Sequence, residues 1–133
     1  MQKVVITGHD LTVDQIIAVC REGAEVVLSD ESREKILASR QVVNELVEER
    51  KVVYGITTGF GKFSDVVISQ DECKLLQKNL IITHAVGAGD PFKEDIARGI
   101  LLLRVNSLSN GFSGICLETV ETMIAMLNKG VTP

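Results

Sequence analysis

Tryptophan is absent from this chain and tyrosine occurs once; together with four phenylalanines the aromatic residues make up 4% of 133. Single-strand nucleic-acid binders stack successive bases on aromatic platforms, and so few rings cannot supply them. A basic excess is missing as well. The formal net charge is -4, which excludes the positive surface that neutralises phosphates, so no nucleic-acid partner is expected. No apolar run approaches the ~20 residues of a membrane-spanning helix. The N-terminus lacks a basic segment followed by a long apolar core, so a secretory leader is not expected and the chain reads as cytoplasmic. The three cysteines, Cys20, Cys73 and Cys116, are odd in number and far apart. They make neither a disulfide framework nor a zinc-type spacing, so each is expected as a reduced thiol packed as a small hydrophobe, and no metal site is expected. Repeats, low-complexity segments and linkers are also missing, and the length suits a single domain over 1–133.

What is present reads as a mainly α chain, a helical domain with a small N-terminal β element. Val4-Val5-Ile6 is a short strand candidate ended by Gly8. Thr12 and Gln15 have capping-box spacing and open a helix through about Cys20, with Gly23 as its stop. Ala24 to Leu28 reads as a second strand that pairs with the first. Ser29 caps a long helix with Asp30 and Glu31 in its first turn, where negative charge meets the positive end of the dipole. Its buried stripe is expected at Ile36, Leu37, Val43, Leu46 and Val47, and its solvated face at Arg33, Glu34, Glu45, Glu48 and Glu49. Ser69 and Glu72 form another capping box, opening a helix that carries Leu75, Leu76, Leu80, Thr83 and His84 and ends at Gly87 and Gly89. Asp90-Pro91 has the form of a helix start. The helix expected over about 91 to 109 is apolar nearly all round, as a helix buried in a bundle is. Gly111 ends it, Ser113 caps a last helix, and Gly130 terminates that one.

Between the long helix and the second capping box lies Val53-Tyr54-Gly55-Ile56-Thr57-Thr58-Gly59-Phe60-Gly61-Lys62, with its glycines enclosing the only tyrosine. Such a segment makes a poor helix and a weak strand interior, and reads as a loop that presents a phenol. On composition alone it is also an ordinary surface connection whose glycines only make turns.

The same segment resembles the signature loop of the aromatic amino acid ammonia-lyases, the family of histidine and phenylalanine ammonia-lyase. Three further blocks are similar to that family in order and spacing. They run from Leu75 to Gly89, including Thr83-His84-Ala85-Val86-Gly87; from Arg98 to Leu108; and from Asn110 to Ile115. The resemblance covers essentially the whole chain and implies the N-terminal portion of a larger helical-bundle lyase, with electrophile-bearing and C-terminal parts outside these residues.

The resemblance implies elimination of ammonia from an aromatic amino acid. The family activates the amine with a self-formed methylidene-imidazolone group made from an Ala-Ser-Gly tripeptide. No Ala-Ser-Gly occurs in these 133 residues. The nearest imitation is Phe112-Ser113-Gly114, where a helix cap is the better reading of the serine. No cofactor bound by this chain is expected, and the chain by itself is expected to be inactive. Tyr54 matches the tyrosine proposed in the family to take the β proton. A phenol ordinarily holds its proton to about pH 10, so such a base needs donors or positive charge nearby; otherwise it is an amphipathic residue meeting water. His84 sits where members distinguish substrates, and a small hydroxyl residue followed by histidine is similar to histidine-specific members. Thr57 pulls the other way, since histidine-specific members usually carry asparagine there and threonine is familiar in phenylalanine-type members. His84 outweighs it because its side chain would face the substrate ring. Gly59, Phe60 and Gly61 read as a lid segment over substrate, or as a passive turn.

The partners implied are a small-molecule amino acid and, by family, other copies in a homotetramer, so self-association of the fragment is expected. The leading expectation is a histidine ammonia-lyase-like segment. A phenylalanine or tyrosine ammonia-lyase, an aminomutase, and a non-catalytic relic that binds an amino acid or a full-length paralogue remain as alternatives.

Overall fold

The computed structural model describes residues 2–58 and 69–132. The elements are β1 (Lys3–Ile6), α1 (Val13–Arg21), β2 (Glu25–Leu28), α2 (Asp30–Glu48), α3 (Gln70–His84), α4 (Glu94–Leu108) and α5 (Leu117–Lys129). The chain is therefore mainly helical with a two-stranded N-terminal sheet, as its patterning indicates. It divides into two compact units, Met1–Gln41 with Pro91–Pro133, and Val42–Asp90.

The first unit holds the hydrophobic core. Its strands pair in parallel, with Lys3 opposite Glu25 and Ile6 opposite Leu28. Parallel neighbours cannot be joined by a tight hairpin and need a crossover, which α1 supplies. Alternation places Val4, Ile6, Val26 and Leu28 in the core. The carboxamide of Asn128 accepts from the Val26 N–H at 2.8 Å and donates to the Val26 carbonyl at 2.9 Å, imitating a third strand. That occupies an edge which would otherwise offer unpaired groups to another chain.

Local signals set several helix ends. Thr12 and Gln15 make the reciprocal capping box at α1. The Ser29 hydroxyl accepts from the Ser32 N–H at 3.1 Å and opens α2. At the far end of α5, Gly130 has φ +68. Its N–H bonds the Leu127 carbonyl, and the Val131 N–H bonds that of Met126, the paired pattern of a Schellman end.

Several expectations are corrected. In α2 only Ile36 of the expected stripe is fully buried, and Leu37 is 50% exposed. Adjacent helical residues point about 100° apart, and with Ile36 turned into the core Leu37 falls at the margin of the buried face. From the expected solvated face, Arg33 reaches Glu121 on α5 in an ion pair. The helix after Asp90-Pro91 begins only at Glu94, behind Lys93 as a cap without a side-chain bond. Its first turn is served instead by Glu94 and Asp95, the latter accepting from the Ile96 N–H at 3.0 Å. Ser113 does not cap α5, whose N-cap is Cys116. Cys116 is exposed rather than packed as a small hydrophobe, and Cys20 is half-buried; both are free thiols. Burial pushes the Cys20 thiol up. The side chain of Cys73 lies outside the described residues.

Helix α4 buries one face instead of all of them. Arg98, Leu102 and Val105, at i, i+4 and i+7, turn inward, while Ile96, Ile100 and Leu103 are about half exposed. Arg98 is 8% exposed. Its guanidinium donates to the Val19 carbonyl at 2.9 Å and to the Leu127 carbonyl at 3.0 Å. Both carbonyls lie in the last turns of their helices, where the dipole is negative and favours a cation. One arginine thus ties the ends of α1 and α5 to α4.

The Arg98–Leu108 and Asn110–Ile115 blocks also have structural work in this unit. Asn110 donates to the Gly8 carbonyl at 2.8 Å, and Asn106 to the same oxygen at 3.3 Å. Gly111 lies against α2 so closely that an added Cβ would stand 2.6 Å from Cβ of Lys35. The Gly114 N–H donates to the Ser39 hydroxyl at 2.8 Å, and Arg40 donates to the Gly114 carbonyl at 3.2 Å.

Candidate functional site

The two side chains singled out by sequence, Tyr54 and His84, both belong to the 42–90 unit. Tyr54 follows the end of α2. There Arg50 takes φ +53, its N–H bonding the Val47 carbonyl at 3.2 Å and the Lys51 N–H bonding that of Leu46 at 3.1 Å. This is again a Schellman end, made here without glycine.

A compact turn follows at once. The Val53 carbonyl accepts from the Ile56 N–H at 3.1 Å and from the Thr57 N–H at 3.0 Å. The Thr57 hydroxyl accepts from the Val53 N–H at 2.9 Å and donates to the Lys51 carbonyl. Thr57 is 6% exposed, whereas Tyr54, at the tip of the turn, is 62% exposed. The one proton of Thr57 is committed to the backbone of its own turn. The Thr57 hydroxyl thus braces the backbone of this loop. The lid residues Gly59, Phe60 and Gly61 lie outside the described residues.

His84 closes α3. The helix opens with the expected capping box, Ser69 accepting from the Glu72 N–H and Glu72 accepting from the Ser69 N–H at 2.9 Å. The Ser69 hydroxyl, donating at 2.6 Å, holds the Glu72 carboxyl below its usual range. The helix ends at His84 because Ala85 itself leaves helical geometry, with φ -75 and ψ 80. Gly87 and Gly89 come after that end and do not cause it, a correction to the expected stop.

The imidazole of His84 is fixed on one side. Its Nδ1 lies 2.9 Å from the Leu80 carbonyl oxygen and 3.1 Å from the Thr83 hydroxyl. A carbonyl oxygen only accepts, so this contact assigns the ring proton to Nδ1. The Thr83 hydroxyl has its own acceptor, the Asn79 carbonyl at 2.8 Å, and takes a share of the Nδ1 proton. In the neutral ring Nε2 is then a lone-pair acceptor on an exposed side chain.

A cavity of about 610 Å³ opens in the first unit, lined among others by Cys20, Arg21, Glu25, Glu94, Arg98 and Asn128. None of the residues expected to act in chemistry lines it. Among the described residues no cluster of three or more His, Cys, Asp or Glu could hold a metal ion, and no helix is long and apolar enough to cross a membrane. Sequence reasoning missed Arg98, whose signal was a lone charge on the face that Leu102 and Val105 share, and Thr57 as a member of its own turn.

The backbone defines a class first. It superposes on tyrosine aminomutase from Streptomyces globisporus with a TM-score of 0.91 at 34% identity, covering 98% of this chain and 25% of that one. On histidine ammonia-lyase from Trypanosoma cruzi the TM-score is 0.88 at 40% identity, covering 96% and 25%. The fold is thus that of aromatic amino acid lyases and aminomutases. In sequence the chain is 58% identical over its whole length to histidine ammonia-lyase of Alkaliphilus oremlandii, and 56% identical to that of Caldanaerobacter subterraneus subsp. tengcongensis, covering 26% of each. The family model of the aromatic amino acid lyases matches residues 11–133. The chain belongs to the aromatic amino acid lyase family and spans about a quarter of the length of the curated relatives it matches.

Proposed function

We propose that this chain is the N-terminal quarter of a histidine ammonia-lyase, in which Tyr54 removes the β proton of histidine and His84 reads its ring, giving urocanate and ammonia. The observation that carries this reading is similarity along the whole chain, at more than half identity, to histidine ammonia-lyases. The arrangement of His84 supports it in chemical terms. With its proton held at Nδ1 by Leu80 and Thr83, the ring presents Nε2 as an acceptor. An imidazole N–H of a substrate can donate to it, and a phenyl ring cannot.

Tyr54 serves as base on the same reading. A phenol base needs donors or positive charge beside it, and on this reading parts of the full-length enzyme beyond these residues contribute to them. The amine-activating electrophile is likewise not made from these 133 residues, which hold no Ala-Ser-Gly. Gly59, Phe60 and Gly61 close over substrate in this account, the active site is shared among the copies of a homotetramer, and the enzyme works in the cytoplasm. The close backbone match to a tyrosine aminomutase favours a second reading, in which ammonia is returned to the neighbouring carbon; a β-amino acid product instead of urocanate identifies it.

The experiment compares histidine and phenylalanine on the full-length enzyme and on its His84→Leu variant. A site built to bond a polar ring penalises loss of that bond. We expect histidine to be the better substrate, and the variant to lose about 5- to 150-fold of that preference, the range of one hydrogen bond. A wild-type preference for phenylalanine, or an unchanged ratio in the variant, refutes the role of His84.

A further inference from the structure

We propose that the cavity of the first unit binds a free α-amino acid, with Arg98 taking the carboxylate and Glu94 the ammonium group. This site does not depend on the roles given to Tyr54 and His84. A guanidinium keeps its charge and carries several N–H donors. Arg98 spends one N–H of Nη1 on the Leu127 carbonyl and one of Nη2 on the Val19 carbonyl. Among the described residues its remaining N–H groups have no acceptor, and no carboxylate pairs with it. Arg98 is nevertheless 8% exposed, and a buried charge is ordinarily paired. The negative ends of α1 and α5 offset part of that charge. A carboxylate, whose shape a guanidinium matches, offsets the rest.

Arg98 lines the cavity of about 610 Å³ together with Arg21, Glu25 and Glu94, a size suited to a small molecule. The acids argue against a simple anion as its occupant. Arg21 is matched by Asp95 at 3.1 Å, and Glu25 by Lys3 at 3.3 Å. Glu94 has no partner among the described residues. It stands one helical turn before Arg98 on α4, where side chains are neighbours with Cβ atoms about 5–6 Å apart, yet the two do not pair. The cavity thus holds an unmatched cation and an unmatched anion side by side. An α-amino acid carries the opposite two charges on a single carbon, and the volume leaves room for its side chain.

The test titrates the full-length enzyme by calorimetry with glycine, with acetate, which keeps only the carboxylate, and with methylammonium, which keeps only the cation. Glycine is expected to bind more tightly than either. Glu94→Gln leaves both carbonyl bonds of Arg98 in place and is expected to weaken glycine about 10-fold while acetate is unchanged. Arg98→Lys keeps the charge but loses the planar fork, and is expected to weaken both; if it does not fold, Glu94→Gln decides. Cys20 also lines the cavity and locates the ligand. Glycine should slow its alkylation by iodoacetamide, read by mass spectrometry, and leave that of the exposed Cys116 unchanged. Glycine held at a substrate site instead would neither protect Cys20 nor respond to Glu94→Gln. No binding of glycine, an affinity untouched by Glu94→Gln, or a Cys20 labelled equally fast with and without glycine overturns the proposal. So does a Cys20 that the reagent never reaches, since a cavity closed in the full-length enzyme admits no ligand.

Discussion

In the unit made of residues 1–41 and 91–133, Val4, Val19, Val26, Leu102, Val120 and Leu127 are among thirteen buried apolar residues packed together; in residues 42–90 the fully buried described residues are Thr57 and Thr58. The first unit spends its side chains on a common core. The second presents outward Tyr54 on a turn and Leu75, Ile81, Ile82 and Val86 on and beyond α3. The candidate chemistry lies entirely in the second. A side chain that is to meet substrate must keep one face open to it, and the turn of Tyr54 and the end of α3 are held largely by hydrogen bonds.

The contrast also shows in two helix ends of the same design. Gly130 closes α5 with its positive φ at no steric cost, whereas Arg50 closes α2 in the same region of backbone space with a Cβ in place. A non-glycine residue there is disfavoured by about 1–2 kcal/mol. The segment that leads into Tyr54 thus begins at a mildly strained position.

The comparison breaks most visibly at Arg98. In Arg98→Met two carbonyls lose a charged donor at the buried ends of α1 and α5. We expect a loss of about 3 kcal/mol in the unfolding free energy of the chain, measured in urea. A loss under about 1 kcal/mol would show that the first unit does not depend on this clamp. Tyr54→Phe is the opposite case. It removes one exposed hydroxyl, so the unfolding midpoint should hardly move while kcat of the full-length enzyme falls at least about 10²-fold. Retained turnover with histidine would end the assignment of Tyr54 as base. The smallest effect is expected from Arg50→Gly, which relieves the left-handed strain and should stabilise the chain by about 1 kcal/mol. Because Arg50 lies outside the turn held by Thr57, kcat should stay at its wild-type value; a large fall would mean that the α2 end itself helps to aim the phenol.

The sequence by itself determined what depends on near neighbours. The capping pairs Thr12 with Gln15 and Ser69 with Glu72 are three residues apart, and a helix end forms them wherever the chain lies. The strands followed from short apolar, β-branched runs, Gly130 as a stop from the freedom of its backbone, and the family from four blocks in order. Tyr54 and His84 were legible only through those blocks, since an isolated tyrosine or histidine has no periodic signature. Tertiary structure decided the rest. Asn128 finds Val26 across 102 positions, Asn110 finds Gly8 across 102, and Arg98 finds Val19 across 79. Pairing at such separations depends on the path of the backbone, which no local pattern encodes. It also chose which apolar face of α4 is buried, because a helix hydrophobic on every side has no preferred face until its neighbours are in place.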